Sequence, residues 1–469
     1  MNDKFEPEPN SGYPSNIETI VLNKCATSGC HNTQSKNAAS GLDLSSYDKL
    51  FEGNRSGAVV IPFRPELSSF FLSCNTFSDL GDTLQEPKMP INASLLSKVE
   101  VNTIKQWILD GARNAKGQMK FEDNPSSGKY YVACQGCDLV YIYPKNSRIA
   151  SRVVDVGINT SVTESPHSIR MSPDGKYWYS VLIGGTVFEK FDAATDQKVA
   201  QINLGAGGWS VVVISKDSKK GFITDFSQNG RVAYVDLETM TLKKMYQGLN
   251  LFSFPHGIAY HQTNEMLYVT GQIGNFFYKI DVSDPMNPDV SNPISLQPGM
   301  PVNFAPSLDP HEVYFNTDST QYMVTCERSN EVRVFSVAND ALLSVIPNLY
   351  NVKEISVSFE KNIAFAACVE DSISFPGVIG SVAVIDLSTH SLIKKIHTGY
   401  QPHGIYCDDK NEVVYVANIN SAGPPPHHIS YCSGKNGNVT LIDLNTLTLI
   451  PGYKSETSVY PYFIIATPH

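Results

Sequence analysis

Short runs of alternating apolar and polar residues recur along residues 129–469. They are LVYIYP from Leu139, TVFEKFD from Thr186, RVAYVD from Arg231, FFYKID from Phe276, EVRVFS from Glu331, SVAVID from Ser381 and NVTLID from Asn438. Alternation with period two marks a strand with one buried face. From Pro144 the corresponding positions fall at Asp192, Asp236, Asp281, Ser336, Asp386 and Asp443, with spacings of 48, 44, 45, 55, 50 and 57 residues. A second family of runs precedes these strands: SPHSIRMSPDG, GGWSVVVISKD, FPHGIAYHQ, DPHEVYFNTD, NVKEISVSFEK and QPHGIYCDDK. Several strands per unit at this period predict a β-propeller. Lys129 to Val156 supplies three strands of a unit without a first one, and the C-terminal VYPYFIIATPH has the sequence of that missing strand. The reading is therefore seven blades, the last built from both ends of the repeat region, which leaves no open edge strand.

Ahead of the repeats the spacing becomes helical. Ile17, Ile20, Val21 and Leu22 suit a short helix, and LLSKVEVNTIKQWILDGA places Leu95, Leu96, Val99, Ile104, Trp107 and Ile108 on or near one face. The second helix is expected to pack on the first, with Trp107 in the core. The predicted organisation is a tether over 1–14, a helical unit over 15–115, a linker over 116–128 (KGQMKFEDNPSSG) and the propeller over 129–469.

The helical unit carries the sharpest chemical signal, Cys25-Ala26-Thr27-Ser28-Gly29-Cys30-His31. Two thiols followed at once by an imidazole can anchor a haem, each thiol adding to a vinyl group and the imidazole binding iron. The usual spacing is Cys-x-x-Cys-His; four intervening residues make this a rarer variant. Zinc binding or a disulfide are the competing uses of Cys25 and Cys30. With Gly41-Leu42-Asp43-Leu44, the run SGAVVIPFRPELSSFF and Lys88-Met89-Pro90, residues 15 to 115 resemble a c-type cytochrome domain. The resemblance implies a small all-α domain ahead of the all-β propeller, one covalent haem c on Cys25 and Cys30, His31 as proximal ligand and Met89 as second axial ligand. A thioether opposite an imidazole favours reduced iron and raises the potential. The plainer reading of Met89 is a core methionine filling a gap.

In the repeats, Tyr268-Val269-Thr270 and Tyr415-Val416-Ala417-Asn418 resemble the propeller repeats named for a Tyr-Val-Thr-Asn strand, a likeness specific to fold rather than function. At the start of the first strand, near the axis, the equivalent residues are His167, Trp209, His256, His311, Lys353, His403 and Tyr462. The second strand returns to the same face at Leu182, Thr224, Gly271, Cys326, Cys368 and Asn418, with Cys134 matching in the split blade, and Cys137, His427, His428 and Cys432 lie in loops there. Three readings follow: a copper or other transition-metal site on His167, His256, His311 and His403, a substrate or partner surface, or plain structure. The first loosely resembles nitrous oxide reductase, whose propeller carries copper on axial histidines, and more loosely nitrite reductases that join a cytochrome domain to a propeller with a second haem. The first uses more histidines and a second copper domain not seen here, and propellers of the second kind are generally longer. Cys134 and Cys137 suit either a local disulfide or a metal pair, and Cys407 a buried free thiol.

Composition narrows this picture. Thirty-six Lys and Arg against 46 Asp and Glu give a net charge of −10, which argues against a nucleic-acid surface and is compatible with basic redox partners. No run of about 18 apolar residues is present to span a membrane. The start MNDKFEPEPNSGYPSN is polar and shows no signal peptide, whereas bacterial haem attachment takes place outside the cytoplasm. The expectation is a mature sequence in the periplasm or at the cell surface. Its acidic, Pro-rich start suits the tether after a lipidated cysteine, with an outer-membrane protein as a further partner. Nine cysteines fit an exported protein, though an odd count cannot pair fully within one chain. Neither a Ser-His-Asp set nor a paired-carboxylate set stands out. The function expected is one-electron transfer at the cell envelope. The alternatives are an oxidoreductase with a metal or substrate site on the His-rich face, and an interaction module that docks a large envelope partner.

Overall fold

The computed structural model describes residues 11–81, 84–121, 127–248, 251–426 and 428–468. The expected tether and linker lie partly, and His427 wholly, outside the described residues. Seven antiparallel sheets form a ring, and every alternating run picked out in the sequence is the third strand of its sheet, ending at Pro144, Asp192, Asp236, Asp281, Ser336, Asp386 and Asp443. The aspartates at these ends have a local cause. Asp192 Oδ1 accepts from the backbone N–H of Ala194 and Thr195, and Asp236, Asp386 and Asp443 accept from the N–H groups two and three residues on in the same way. Each carboxylate thus caps the turn into the outermost strand. In the third full blade that strand is split into Asp289–Val290 and Ile294–Ser295, both paired with Phe276–Asp281.

Both ends of the repeat region close the ring. Pro461–Ala466 is the innermost strand of the split blade and pairs with Lys129–Cys134, Tyr130 opposite Ala466 and Cys134 opposite Pro461. Neighbouring blades meet through aromatic and aliphatic layers, as where Tyr131 of the split blade meets Trp178 of the next with ring centroids 5.6 Å apart.

The expected separate all-α cytochrome domain is not what the N-terminal region forms, and the fold class is corrected accordingly: the described residues are almost all β, with four short helices among them. They are α1 Ser15–Lys24, α2 Tyr47–Leu50, α3 Ser69–Cys74 and α4 Lys98–Leu109, joined by 3-10 turns and irregular chain. Only α1 and α4, of 10 and 12 residues, exceed two turns, so among the described residues the region holds one helix pair and irregular chain, and it also leans on the propeller. Ile61, with Ala58 and Leu67, joins the apolar cluster around Tyr141, Val459 and Ile464. Arg64 pairs with Asp155 at 3.1 Å, and the Glu456 N–H donates to the Ser56 carbonyl at 2.7 Å. Gly57 (φ +113°) permits that approach, since a Cβ there would lie 2.9 Å from Ser455 Oγ. As expected, α1 and α4 pack together, through Ile17, Ile20 and Val21 against Val101, Ile104 and Ile108, with Lys24 paired to Glu100 at 2.9 Å. Leu95 and Val99 are exposed instead of facing the core, and Val101 takes the inward place.

Candidate functional site

Two clusters of reactive side chains stand apart in the molecule. The first is a cavity of about 600 Å³ in the N-terminal region, within the range usual for ligand pockets. Helix α1 ends at Cys25, whose N–H bonds the Val21 carbonyl at 2.9 Å. The chain then turns through Gly29 (φ +81°), a conformation that favours glycine, and the His31 N–H bonds back to the Cys25 carbonyl at 3.1 Å. This loop sets Cys25, Cys30 and His31 along one cavity. Met89 reaches the same cavity from a distant segment, held by its N–H to the Ser73 carbonyl at 2.9 Å and by Lys88 Nζ to the Asn75 carbonyl at 3.0 Å. Leu42, Leu44, Val59 and Phe70 supply apolar lining.

Cys25 and Cys30 are free thiols, which sets the disulfide use aside. Burial pushes the Cys25 thiol up to about 12, and the neighbouring Cys30 adds to the rise. Burial lowers the His31 pKa, with the Leu42 backbone acting in the opposite sense, and His31 Nδ1 is buried without a hydrogen bond. A chelated ion would need the donor atoms gathered at one point. Among the described residues the group with donor atoms mutually within 4.8 Å is His256, His311 and Glu312, not Cys25, Cys30 and His31. The N-terminal donors are spread along a cavity wall, which suits a broad ligand with two attachment points better than a single zinc ion.

Several cavity residues escaped the sequence reading. Cys74 also lines the cavity, and burial pushes its thiol well up, with the charge of the neighbouring Cys25 adding to the rise. Gln85 donates to Ser73 Oγ at 3.2 Å, while its buried Oε1 has no hydrogen bond. His428 was expected at the His-rich propeller face. It lines the N-terminal cavity instead, its Nδ1 3.6 Å from Glu456 Oε1, because the loop that carries it folds outward toward the helices.

The second cluster is on the propeller axis. His167, His256, His311 and His403 do converge, but in a buried position, each at most 5% exposed, and not at an open mouth. His167 Nε2 lies 3.0 Å from His256 Nε2, and Gln135 Nε2 lies 2.8 Å from His167 Nδ1. His256 and His311 rings are 4.3 Å apart, and His403 stacks on Tyr462 at 3.7 Å. Burial holds all four imidazoles below the usual range, His256 at about 3, so they are neutral at neutral pH. Glu312, next to His311, and Glu354 complete the cluster. Burial raises both carboxyls, Glu354 to about 7, and the negative charge of Glu354 raises Glu312 further. Neither glutamate was singled out from the sequence, where both read as ordinary strand positions.

The other expected members of this face are elsewhere. Trp209 is not the counterpart of the histidines: it pairs with Asp225, as Pro255 pairs with Gly271 and Pro310 with Cys326, so Ser210 and Asp225 take the places assigned to Trp209 and Thr224. Cys134, Cys326 and Cys368 are buried in blade cores and do not join the histidines. Cys137 bonds to Cys432, 295 residues away, so neither a Cys134–Cys137 disulfide nor a metal pair forms. Cys407 is free, as expected, but half-buried, its sulfur 3.8 Å from Asp409 Oδ1.

No known family and no curated protein matches this chain. Among solved structures it is similar to a functionally unknown protein from Desulfotomaculum acetoxidans DSM 771, with TM-score 0.53, 9% identity, and coverage of 72% of this chain and 99% of that one. The likeness shows the fold alone.

Proposed function

We propose that the N-terminal cavity holds one haem, attached through Cys25 and Cys30, and that the protein is a one-electron carrier. One observation carries the reading: two free thiols, the imidazole that follows them and a methionine 58 residues further on line the same cavity of about 600 Å³. When bound there, haem supplies a one-electron couple. His31, whose Nδ1 is buried without a hydrogen bond, and Met89 would hold the iron, and a thioether together with an imidazole favours the reduced state. The apolar lining of Leu42, Leu44, Val59 and Phe70 would keep water from the group, and the buried, unpartnered Gln85 Oε1 would offer it a polar contact.

The likeness to Tyr-Val-Thr-Asn propellers and a position outside the cytoplasm belong to the same proposal; a propeller fused to a haem site suits docking of redox partners at an envelope. The test is extraction of protein matured in a cytochrome-competent periplasm. Haem retained through denaturation and acid-organic extraction is expected, and loss of all haem would overturn the covalent assignment.

A further inference from the structure

We propose that His256, His311 and Glu312 bind a divalent first-row transition metal on the propeller axis, independently of the N-terminal cavity. His256 Nδ1 and His311 Nδ1 stand 3.7 and 4.0 Å from Glu312 Oε1, and all three donor atoms lie within 4.8 Å of one another. A contraction of well under an ångström brings such donors to the ~2.0–2.2 Å bond lengths of zinc with imidazole and carboxylate. Two of the three, His311 Nδ1 and Glu312 Oε1, are buried without a hydrogen bond, and His403 Nε2 nearby is a third such atom. Buried polar groups are almost always paired, so three orphans on one axis point to a missing partner that accepts electron pairs. A cation answers to that description for an imidazole nitrogen and a carboxylate oxygen together.

The surroundings suit the ion. Two imidazoles and one carboxylate without a thiolate form a donor set for zinc and its neighbours in the first row, with one position left for water or for His403. Lys353 Nζ, whose charge reaches the same imidazoles, is turned to Glu327 Oε2 at 3.4 Å. His256 also has an outer partner. With the nitrogen of Gln135 donating to His167 Nδ1, His167 Nε2–H donates to His256 Nε2, and His256 Nδ1–H faces the His311 carbonyl at 3.3 Å, the longest link of the chain. Metal binding at His256 Nδ1 takes the other tautomer of both rings with no net loss of a proton: His256 then carries its proton on Nε2 and donates to His167 Nε2, while His167 carries its proton on Nδ1 and donates to the Gln135 amide turned to present its oxygen. A ligating histidine held by a donor–acceptor partner on its other nitrogen is the usual design of such sites.

The experiment uses the full, haem-loaded chain purified without chelators, and again after growth and purification with added Zn²⁺. Expected is one zinc per chain besides the haem iron, with anomalous scattering at the zinc edge between His256, His311 and Glu312. His256→Gln and Glu312→Gln should abolish it, and His167→Gln should weaken it ~10–100-fold, with circular dichroism unchanged. Absence of the anomalous peak from zinc-treated wild-type crystals, density there for water only, or full zinc content in both Gln variants would each overturn the assignment. If a variant fails to fold, the wild-type anomalous map decides alone.

Discussion

His167 and His256 meet nitrogen to nitrogen at 3.0 Å, although a whole blade, that of Trp209, lies between them in the ring. The contact exists because Ser210 occupies the intervening axial position and leaves room for two imidazoles to touch across it. One small residue thus lets side chains from non-adjacent blades pack against one another on the axis. The blades are therefore coupled through their innermost strands as well as through the apolar layers between them.

Ring closure depends on a buried ion pair. Lys129 Nζ, at the start of the split blade, bonds Asp196 Oδ2 of the next blade at 2.7 Å, with both side chains at most 3% exposed, and donates to the Ala193 and Ala194 carbonyls at 3.0 and 3.1 Å. Asp196→Ala leaves the ammonium buried without its counter-charge. Equilibrium denaturation should show a loss of about 3–5 kcal/mol; an unchanged midpoint would show that the carbonyls suffice.

A second buried pair, Asp371 with Lys395 at 2.8 Å, gives a pH dependence. Burial acts to raise the Asp371 carboxyl, but the Lys395 ammonium and the Ser374 and Ser381 hydroxyls prevail and hold it well below the usual 3.8. The folded state thus binds this proton less readily than the unfolded chain. Its contribution is complete above about pH 4 and is lost as pH falls below it. Thermal melts of Asp371→Asn should start from lower stability at pH 7 and decline less steeply than wild type below pH 4. Parallel curves would contradict the assignment.

How much of this was legible in the sequence depended on distance along the chain. The third strands were found because Asp192, Asp236, Asp281, Asp386 and Asp443 combine a local turn cap with a two-residue period, both short-range signals. The register slipped by one in the Trp209 blade because Gly207-Gly208-Trp209 replaces the Pro-His start; Trp209 fills the proline position, its indole N–H bonded to the Gly205 carbonyl at 2.8 Å. The thiols, imidazole and methionine of the N-terminal cavity were legible from a motif. The helical region was misjudged as a separate domain, since nothing local in Ile61 or Arg64 reveals that they pack on Tyr141 and Asp155. The Cys137–Cys432 bond and the place of His428 depend on a long loop, and Glu312 is distinguished only by what surrounds it.

That disulfide closes a loop across most of the propeller, with Cα atoms 5.6 Å apart. Replacing Cys137 and Cys432 together by serine should lower stability by about 2–4 kcal/mol with spectra of the N-terminal region unchanged. Denaturation midpoints equal to those of the wild type, with and without reductant, would show that the bond contributes nothing.

Removing the C-terminal strand tests the closure itself. Deleting residues 459–469 strips Pro461–Ala466 from Lys129–Cys134 and uncovers the cores on both sides. The loss should exceed the ~5–15 kcal/mol available to a typical domain, so the truncated chain should fail to give a cooperative melt. A melt like that of the full chain would contradict the seven-blade register.

Met89 separates the haem reading from a merely apolar cavity. Met89→Ala should open a coordination position, so that the reduced protein binds carbon monoxide readily, and Met89→His should lower the potential. Spectra and potential unchanged in both variants would show that a different residue fills that position.

The central claim is the covalent link at Cys25 and Cys30, and mass spectrometry of denatured, unreduced protein matured in a cytochrome-competent periplasm tests it most directly. The chain should gain the mass of one haem, carried by the peptide that holds both cysteines, while Cys74, Cys134, Cys326, Cys368 and Cys407 remain alkylatable. A chain of unmodified mass, with Cys25 and Cys30 both alkylated, would contradict it.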